Sequence, residues 1–379
     1  MRPEALKQAL IEESKRIGID KIGFASADPF TELKERLIRH REAGYESGFE
    51  EPDLHKRTDP QANLPQARTI IAIALAYPTR MEDPPVSKPG ATRGVFCRAS
   101  WGEDYHHVLR RKLESLKEKL LEWVPEAACE VMVDTGSLSD RAVAERAGLG
   151  WSGKNTSLIT EEFGSWVYLG EMLTDVWLPP DTPVTEGCGD CNACIEACPT
   201  GALVAPGQLN SQACLAYLSQ TKGFLAPEYR DKLGTYLYGF ETCQMVCPYN
   251  QKKNFVHHPE FSPDPDKVKP LLKPLLSMSN REFRERFGSM AGSWRGKKPI
   301  QRNAIIALGR LKDETAVADL IRLLKEDPRP VIRGTASWAL GRIGGKEALE
   351  ALRRTLEEET DEEVLLEVKN ALADHEKAV

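Results

Sequence analysis

Cys188, Cys191, Cys194 and Cys198 follow one another at intervals of three, three and four residues, and Pro199 comes directly after the last. Thiolates at this spacing can wrap one iron–sulfur cube corner by corner, while the fourth, turned by the proline, reaches a neighbouring cube. A partner run lies downstream as Cys214 and then Cys243-x-x-x-Cys247-Pro248. By the logic of two-cluster ferredoxins, Cys188, Cys191, Cys194 and Cys247 hold one 4Fe–4S cluster, and Cys198, Cys214 and Cys243 hold a second. The second set is one ligand short, because Phe240 stands three residues before Cys243 where a full half-motif has a cysteine. Its fourth iron is left to a non-cysteine or exogenous ligand, or the site holds a smaller cluster. Zinc is the competing reading, but zinc sites usually pair two Cys-x-x-Cys steps across a longer spacer. Cys97 and Cys129 lie outside both runs; either could in principle reach that fourth iron, but nothing in their neighbourhood marks them for it, and Cys129 reads as a buried thiol in a strand.

Clusters move electrons singly and need a terminus where chemistry happens. The candidate stretch is Val133-Asp134-Thr135-Gly136-Ser137, then Asp140-Arg141, then the glycine-rich run from Ala147 to Asn155. An acid at a strand end before glycine-rich turns fits an active-site rim. It equally fits a cap on the following helix, and spacing leaves both open.

The elements around these residues can be read from periodicity. Leu6, Ala9, Leu10 and Ile17 have helical spacing, and Lys21–Ala25 reads as a short strand. Thr69–Tyr77 is a continuous β-rich apolar run, expected to be a strand buried on both faces. Cys129–Asp134 and Trp166–Leu173 read as further strands, with a helix from about Ser139. Strands alternating with helices predict an α/β or α+β domain over residues 1–178. Proline-rich stretches at 178–183 and 259–274 bound a cysteine domain over 179–260 and a last segment over 261–379.

That last segment repeats itself. Asn303–Leu311 aligns with Thr335–Ile343, 32 residues on, and Ala339 aligns with Ala371 at the same offset. Paired helices of this period stack to share an apolar face, as in HEAT-type repeats. A stabilising cap and a platform for a macromolecule are equally open readings. Just before the repeats, Arg281, Arg284, Arg286, Arg295, Lys297, Lys298 and Arg302 face only Glu282 and Glu285, with Phe287 and Trp294 interleaved. The bland reading is a solvated helix face; the other is phosphate contact plus base stacking.

Composition narrows the class. The 379 residues carry a net charge of −6, with 41% hydrophobic and 28% charged residues, as a soluble globular protein does. No apolar run approaches a membrane span, and charges such as Glu12, Glu13, Lys15 and Arg16 interrupt any secretory core near the start. The expected location is the cytoplasm, where thiols stay reduced and clustered cysteines serve as metal ligands.

Taken together, Asp134-Thr135-Gly136, the Ala147-Gly148-Leu149-Gly150-Trp151-x-Gly153-Lys154-Asn155 run, the first cysteine motif and Cys243-Gln244-x-x-Cys247-Pro248 resemble epoxyqueuosine reductases. The resemblance runs from about residue 1 to residue 310, and the repeat tail matches the longer members. Each motif alone is suggestive; the combination in this order is highly specific. The resemblance implies an α+β fold: an N-terminal α/β corrinoid domain like that of reductive dehalogenases, a ferredoxin-like two-cluster domain and all-α HEAT-like repeats. It implies cobalamin and two 4Fe–4S clusters, and removal of the epoxide oxygen of epoxyqueuosine at the wobble position of tRNA. Asp134 occupies the position of the proton donor, provided its environment raises its pKa toward working pH. Arg57, Cys97, Gly153, Lys154, Asn155, Ser157 and Leu158 fall near the corrinoid with Asp134. Arg281, Trp294, Arg295, Lys297, Lys298 and Arg302 are the candidate tRNA contacts. Because Asp53-Leu54-His55 is followed by Lys56, Arg57 and Thr58, no Asp-x-His-x-x-Gly motif is present, and base-off cobalamin without a protein histidine is expected. The expected partners are the modified tRNA and an external low-potential electron donor, with a monomeric chain and no membrane. A reductive dehalogenase acting on a small molecule is the main rival. Such enzymes usually carry an export signal, and neither the basic stretch nor the repeats would serve them. A bare electron-transfer module would not need the long first domain.

Overall fold

The computed structural model describes residues 1–378. The chain forms two compact units. The first gathers Met1–Arg80, Glu103–Cys214 and Glu241–Ser262; the second gathers Met81–Gly102, Leu215–Phe240 and the chain from Pro263 onward.

In the first unit, β1 (Lys21–Ser26), β2 (Thr69–Ala76), β3 (Cys129–Met132) and β4 (Val167–Thr174) form one sheet in the order β1-β2-β4-β3. Every neighbouring pair is antiparallel. All of β2 is buried, as its unbroken apolar run predicts, because helices cover both faces of the sheet. Helix α1 (Tyr105–Trp123) lies on one face, where Gly170 of β4 leaves room for Leu109 and Leu113; a Cβ there would stand 3.1 Å from each. Helix α2 (Asp140–Arg146) covers the other face, burying Val143 and Ala144 with Ala72, Ala74 and Leu173. Thus β4 carries alternate residues to two helices, and Glu171 faces the α2 side. Cys129 is half-buried rather than buried, its Sγ 3.6 Å from Thr174 Oγ1 at the sheet edge.

The cysteine segment of this unit has little regular structure. One-turn helices at Ala193–Glu196 and Thr242–Met245 carry Cys194 and Cys243, and a short hairpin pairs Leu203–Ala205 with Gln208–Leu209.

The second unit is helical and follows the repeat. After α3 (Asn280–Phe287) come α4 (Lys297–Arg310), α5 (Val317–Glu326), α6 (Pro330–Ile343), α7 (Lys346–Glu358) and α8 (Glu362–Ala378). The period shows in the packing: a Cβ on Gly309 would stand 2.7 Å from Ala339 Cα, and one on Gly341 would stand 2.7 Å from Ala371 Cβ. The same close helix approach therefore recurs one repeat later, at a position where only glycine fits. Segment 215–240 packs on these helices, with Leu215, Leu225 and Leu233 burying Ile306. No described helix is long and apolar enough to cross a membrane.

Candidate active site and cluster ligands

Strand β3 ends at Met132, and two residues on Asp134 takes φ 51°, in the left-handed region. Asp tolerates this conformation better than most residues, at a cost of roughly 1 kcal/mol. The backbone N–H of Asp134 donates to Asp140 Oδ2 at 2.8 Å, which holds the turn. Its carboxylate does not cap α2, whose capping position is Ser139. It turns instead to the first turn of α1. Tyr105 OH donates to Asp134 Oδ2 at 2.8 Å, and His106 Nε2 lies 3.2 Å from the same oxygen. The other ring nitrogen, Nδ1, is 2.6 Å from Asp104 Oδ1. Asp104 also caps α1 by accepting from the His106 N–H, so one residue sets both the helix start and the ring.

The electrostatics place the proton. Burial alone would favour neutral forms. For His106 the bonds and charges of Asp104 and Asp134 outweigh it, and its pKa is pushed up to about 9. For Asp134 burial is likewise outweighed by the His106 and Tyr105 hydrogen bonds and the charges of His106 and Arg141, and its carboxyl is held below the usual range. The sequence reading required Asp134 to be raised toward working pH. The structure does the reverse, because a cation and a phenol reach the carboxylate first: near neutral pH the proton resides on His106. The Asp134 side chain is 59% exposed, so solvent weakens these effects without reversing them.

Behind the turn lies a second pair of acids. Glu171 is 1% exposed and its Oε1 finds no hydrogen-bond partner among the described residues. Burial, then the charge of Asp140 and a hydrogen bond to it, raise Glu171 well above the carboxylate range. Asp140 is pushed up to about 7, by burial first and then by the charge of Asp134. The two share a proton near neutral pH, and Asp140 thereby remains an acceptor for the Asp134 N–H. An aromatic stack leads to the same place: Tyr77 on Tyr168 at 4.4 Å, Tyr168 on Tyr105 at 4.5 Å, and Tyr105 on His106 at 4.2 Å. Sequence reading singled out Asp134 and passed over Tyr105, His106 and Glu171. The helix-start acid Asp104 was the available signal, but the pairing depends on how α1 registers on the sheet.

The residues expected near a corrinoid separate into groups. Arg57 is close enough to Arg141 for its charge to depress the Arg141 guanidinium, after burial, and Arg141 donates to Thr156 O. Adjacent guanidinium groups favour an anionic or carbonyl-rich ligand. Gly153 donates its N–H to Ser157 O, closing the loop, and Leu158 is buried in the sheet core. Lys154 and Asn155 turn toward the cysteines: Lys154 Nζ donates to Gly189 O at 2.7 Å and Asn192 Oδ1 at 3.0 Å, and Asn155 Nδ2 to Cys243 O at 3.5 Å. Cys97 belongs to the second unit, where it is buried and its N–H donates to Tyr238 O at 3.0 Å.

Cys188, Cys191, Cys194 and Cys247 line one small cavity with Lys154, Asn155 and Tyr249. Burial raises the Cys247 thiol, and Cys188, Cys194 and Cys191 add to it. Cys243 is pushed up to about 12 by burial and by Cys214, Cys194 and Cys198. Cys198 is lowered, because N–H groups of Leu203, Thr200 and Ala202 and the Thr200 hydroxyl outweigh its burial. Among the described residues no three His, Cys, Asp or Glu side chains converge on a point for a single metal ion. Four thiols gathered on one cavity, with no convergence on a single point, fit the donor set of a thiolate-bound cluster.

In the basic stretch, Arg281 and Lys298 are exposed and Trp294 is 52% exposed. Trp294 Nε1 donates to Gln220 Oε1, Arg295 Nε to Gln220 O, and Lys297 Nζ to Met278 O at 2.6 Å. Arg302 is a correction. It is 1% exposed, and its guanidinium donates to the carbonyls of Leu218, Thr221 and Gly223. Those carbonyls lie at the end of the short helix Leu215–Leu218 and in the turn after it, so Arg302 braces that turn on α4 and offers nothing to a phosphate.

The same segments match known families. The model described as "Epoxyqueuosine reductase QueG, DUF1730" matches residues 57–135, "4Fe-4S double cluster binding domain" residues 187–250, and "HEAT repeats" residues 295–373. The epoxyqueuosine reductase of Bacillus cereus is 61% identical over 369 residues, covering 97% of each chain. The chain belongs to the epoxyqueuosine reductase family. As a member it is an oxidoreductase, combining a mixed α and β unit, a double-cluster segment and HEAT repeats. A crystal structure of an epoxyqueuosine reductase with a tRNA-Tyr epoxyqueuosine-modified stem loop superposes with TM-score 0.95 at 57% identity, over 97% of this chain and 98% of that one. A structure of epoxyqueuosine reductase from Bacillus subtilis, with the Asp134 catalytic loop swung out of the active site, superposes with TM-score 0.95 at 56% identity over the same shares.

Proposed function

We propose that the protein reduces the epoxide of epoxyqueuosine in tRNA to the alkene of queuosine, in the cytoplasm and as a monomer. The observation that carries this reading is the Asp134 carboxylate, held on a left-handed turn against the Tyr105 hydroxyl and a protonated His106. An epoxide opens readily when its leaving oxygen is protonated as electrons arrive at carbon. His106 stores the proton at neutral pH, and Asp134 passes it to the oxygen. Tyr105 holds Asp134 Oδ2 in place, and Asp140 holds its backbone. The overall change takes two electrons and two protons to alkene and water.

A base-off cobalamin, when bound, supplies the low-potential electrons. Arg57, Arg141 and the Gly153–Leu158 loop are the residues that would hold its polar periphery. Cys188, Cys191, Cys194 and Cys247 would hold one cluster and Cys198, Cys214 and Cys243 a second, and such clusters would supply electrons taken from an external donor. Lys154 and Asn155 stiffen the cluster loops. Arg281, Trp294, Arg295, Lys297 and Lys298 contact the tRNA within segment 261–379, while segments 1–178 and 179–260 carry the chemistry and the clusters.

The test is turnover. Anaerobically reconstituted protein, cobalamin and a low-potential reductant are mixed with tRNA carrying epoxyqueuosine, and the digested nucleosides are weighed. The expected product is lighter by one oxygen atom, depends on cobalamin and is absent with Asp134→Ala. No product from protein with intact clusters and bound corrin would sink the reading and point to a small halogenated substrate.

A further inference from the structure

We infer that the second cluster is held by three thiolates, so that its fourth iron has no protein sulfur and leaves on one-electron oxidation. The inference rests on the two-cluster reading above. The first set is complete, since four thiols line one cavity. The second has Cys198, Cys214 and Cys243, and the ferredoxin pattern asks for one more sulfur at position 240.

Cys243 sits on a one-turn helix, and the residue three before it carries no sulfur. The Phe240 ring tilts against Tyr236 at 4.9 Å and packs with the apolar group of Leu215, Leu225, Leu233 and Ile306. A phenyl ring has no lone pair for iron. Its place among apolar side chains shows why the substitution is tolerated: it gains burial in the second unit. Of the two cysteines outside the motifs, Cys129 lies at the sheet edge beside Thr174. Cys97 is buried in the second unit, its Sγ so close to Gly239 that a Cβ there would be 2.2 Å away.

An iron bound only by three sulfides and an exchangeable ligand such as water is the most labile of the four. Oxidation then runs with balance: a 4Fe–4S cluster of charge 2+ gives a 3Fe–4S cluster of charge 1+, one ferrous ion and one electron. Ferricyanide is the acceptor in the test.

The full chain is reconstituted anaerobically and reduced, and low-temperature EPR counts its four-iron clusters. It is then titrated with ferricyanide, and released iron is measured with a chelator. The expected result is one three-iron signal and one ferrous ion per chain, with the first cluster intact. Isotopically enriched iron added with reductant should re-enter that one position, read by Mössbauer spectroscopy. In Phe240→Cys the signal and the release should vanish; should that variant fail to load, the enriched-iron exchange in the unaltered chain decides. Two clusters that survive ferricyanide and exchange no iron overturn the inference. So does a Cys97→Ser variant that releases iron when the unaltered chain does not, since Cys97 would then be the fourth ligand. A chain that takes up no four-iron cluster at all refutes the cluster reading instead.

Discussion

His106 Nε2 stands 3.2 Å from Asp134 Oδ2, and the proton between them belongs to His106. The family resemblance marks Asp134 as the acid, yet the group that holds the proton at neutral pH is the imidazole 28 residues earlier in the chain, in the first turn of α1, fixed there by Asp104. An acid poised in this way stays loaded across the physiological range and delivers through its partner.

His106→Gln keeps a hydrogen-bond donor but removes the stored proton. Turnover should fall by about 10²-fold, within the usual range for general acid catalysis. The unaltered protein should hold its rate until pH approaches about 9, where His106 loses its proton. In the variant that alkaline limb should move to lower pH. An unchanged pH profile would remove His106 from the proton path. The same raised pKa stabilises the fold, in full below the ordinary histidine value, and that stability is lost as pH rises through about 9.

Asp140 links stability to pH in the same direction, over a lower range. Its pKa is raised to about 7, so folding favours its protonated form. That contribution is complete below pH ~4, the ordinary aspartate value, and is lost as pH rises through 7. Asp140→Asn should therefore flatten the decline in denaturation midpoint between pH 4 and 7, read by chemical denaturation of the loaded protein. Glu171→Gln should preserve activity because it remains neutral and can still donate to Asp140, whereas Glu171→Leu should slow turnover about tenfold by loosening the Asp134 turn. Equal behaviour of the two Glu171 variants would count against this support.

The basic stretch should split by burial. Arg281→Glu with Lys298→Glu changes two exposed cations, so tRNA affinity should fall by at least tenfold and its salt dependence become shallower, with cluster absorbance unaltered. Arg302→Ala should instead cost about 3 kcal/mol of stability, because the Thr221 and Gly223 carbonyls lose their buried donor. Full tRNA affinity in the exposed double variant would clear this surface of a role.

Gly309→Ala and Gly341→Ala probe the repeat. Each would drive a Cβ to 2.7 Å from the next repeat's helix, so each should destabilise by about 2 kcal/mol despite the better helix propensity of alanine. Thermal unfolding of the two variants checks it; a gain in stability for either would mean the helices part easily.

The sequence by itself determined what short-range pattern can encode. The Cys188–Cys198 run names its chemistry because three-residue steps suit one metal centre, the 32-residue offset fixes stacked helix pairs, and the apolar run at Thr69 gives a strand buried on both sides. At position 240 the sequence places a phenylalanine where a full half-motif has a cysteine. Only the tertiary structure decided matters of long-range contact. It brought the first turn of α1 to Asp134, buried Glu171 behind Asp140, and took Arg302 from a basic run into a loop brace. It also joined Lys154 and Asn155 to the cysteine segment through Gly189, Asn192 and Cys243. The reason is physical: a residue's type and spacing fix which bonds it can make, but its charge state and partner depend on burial and on groups brought from far along the chain.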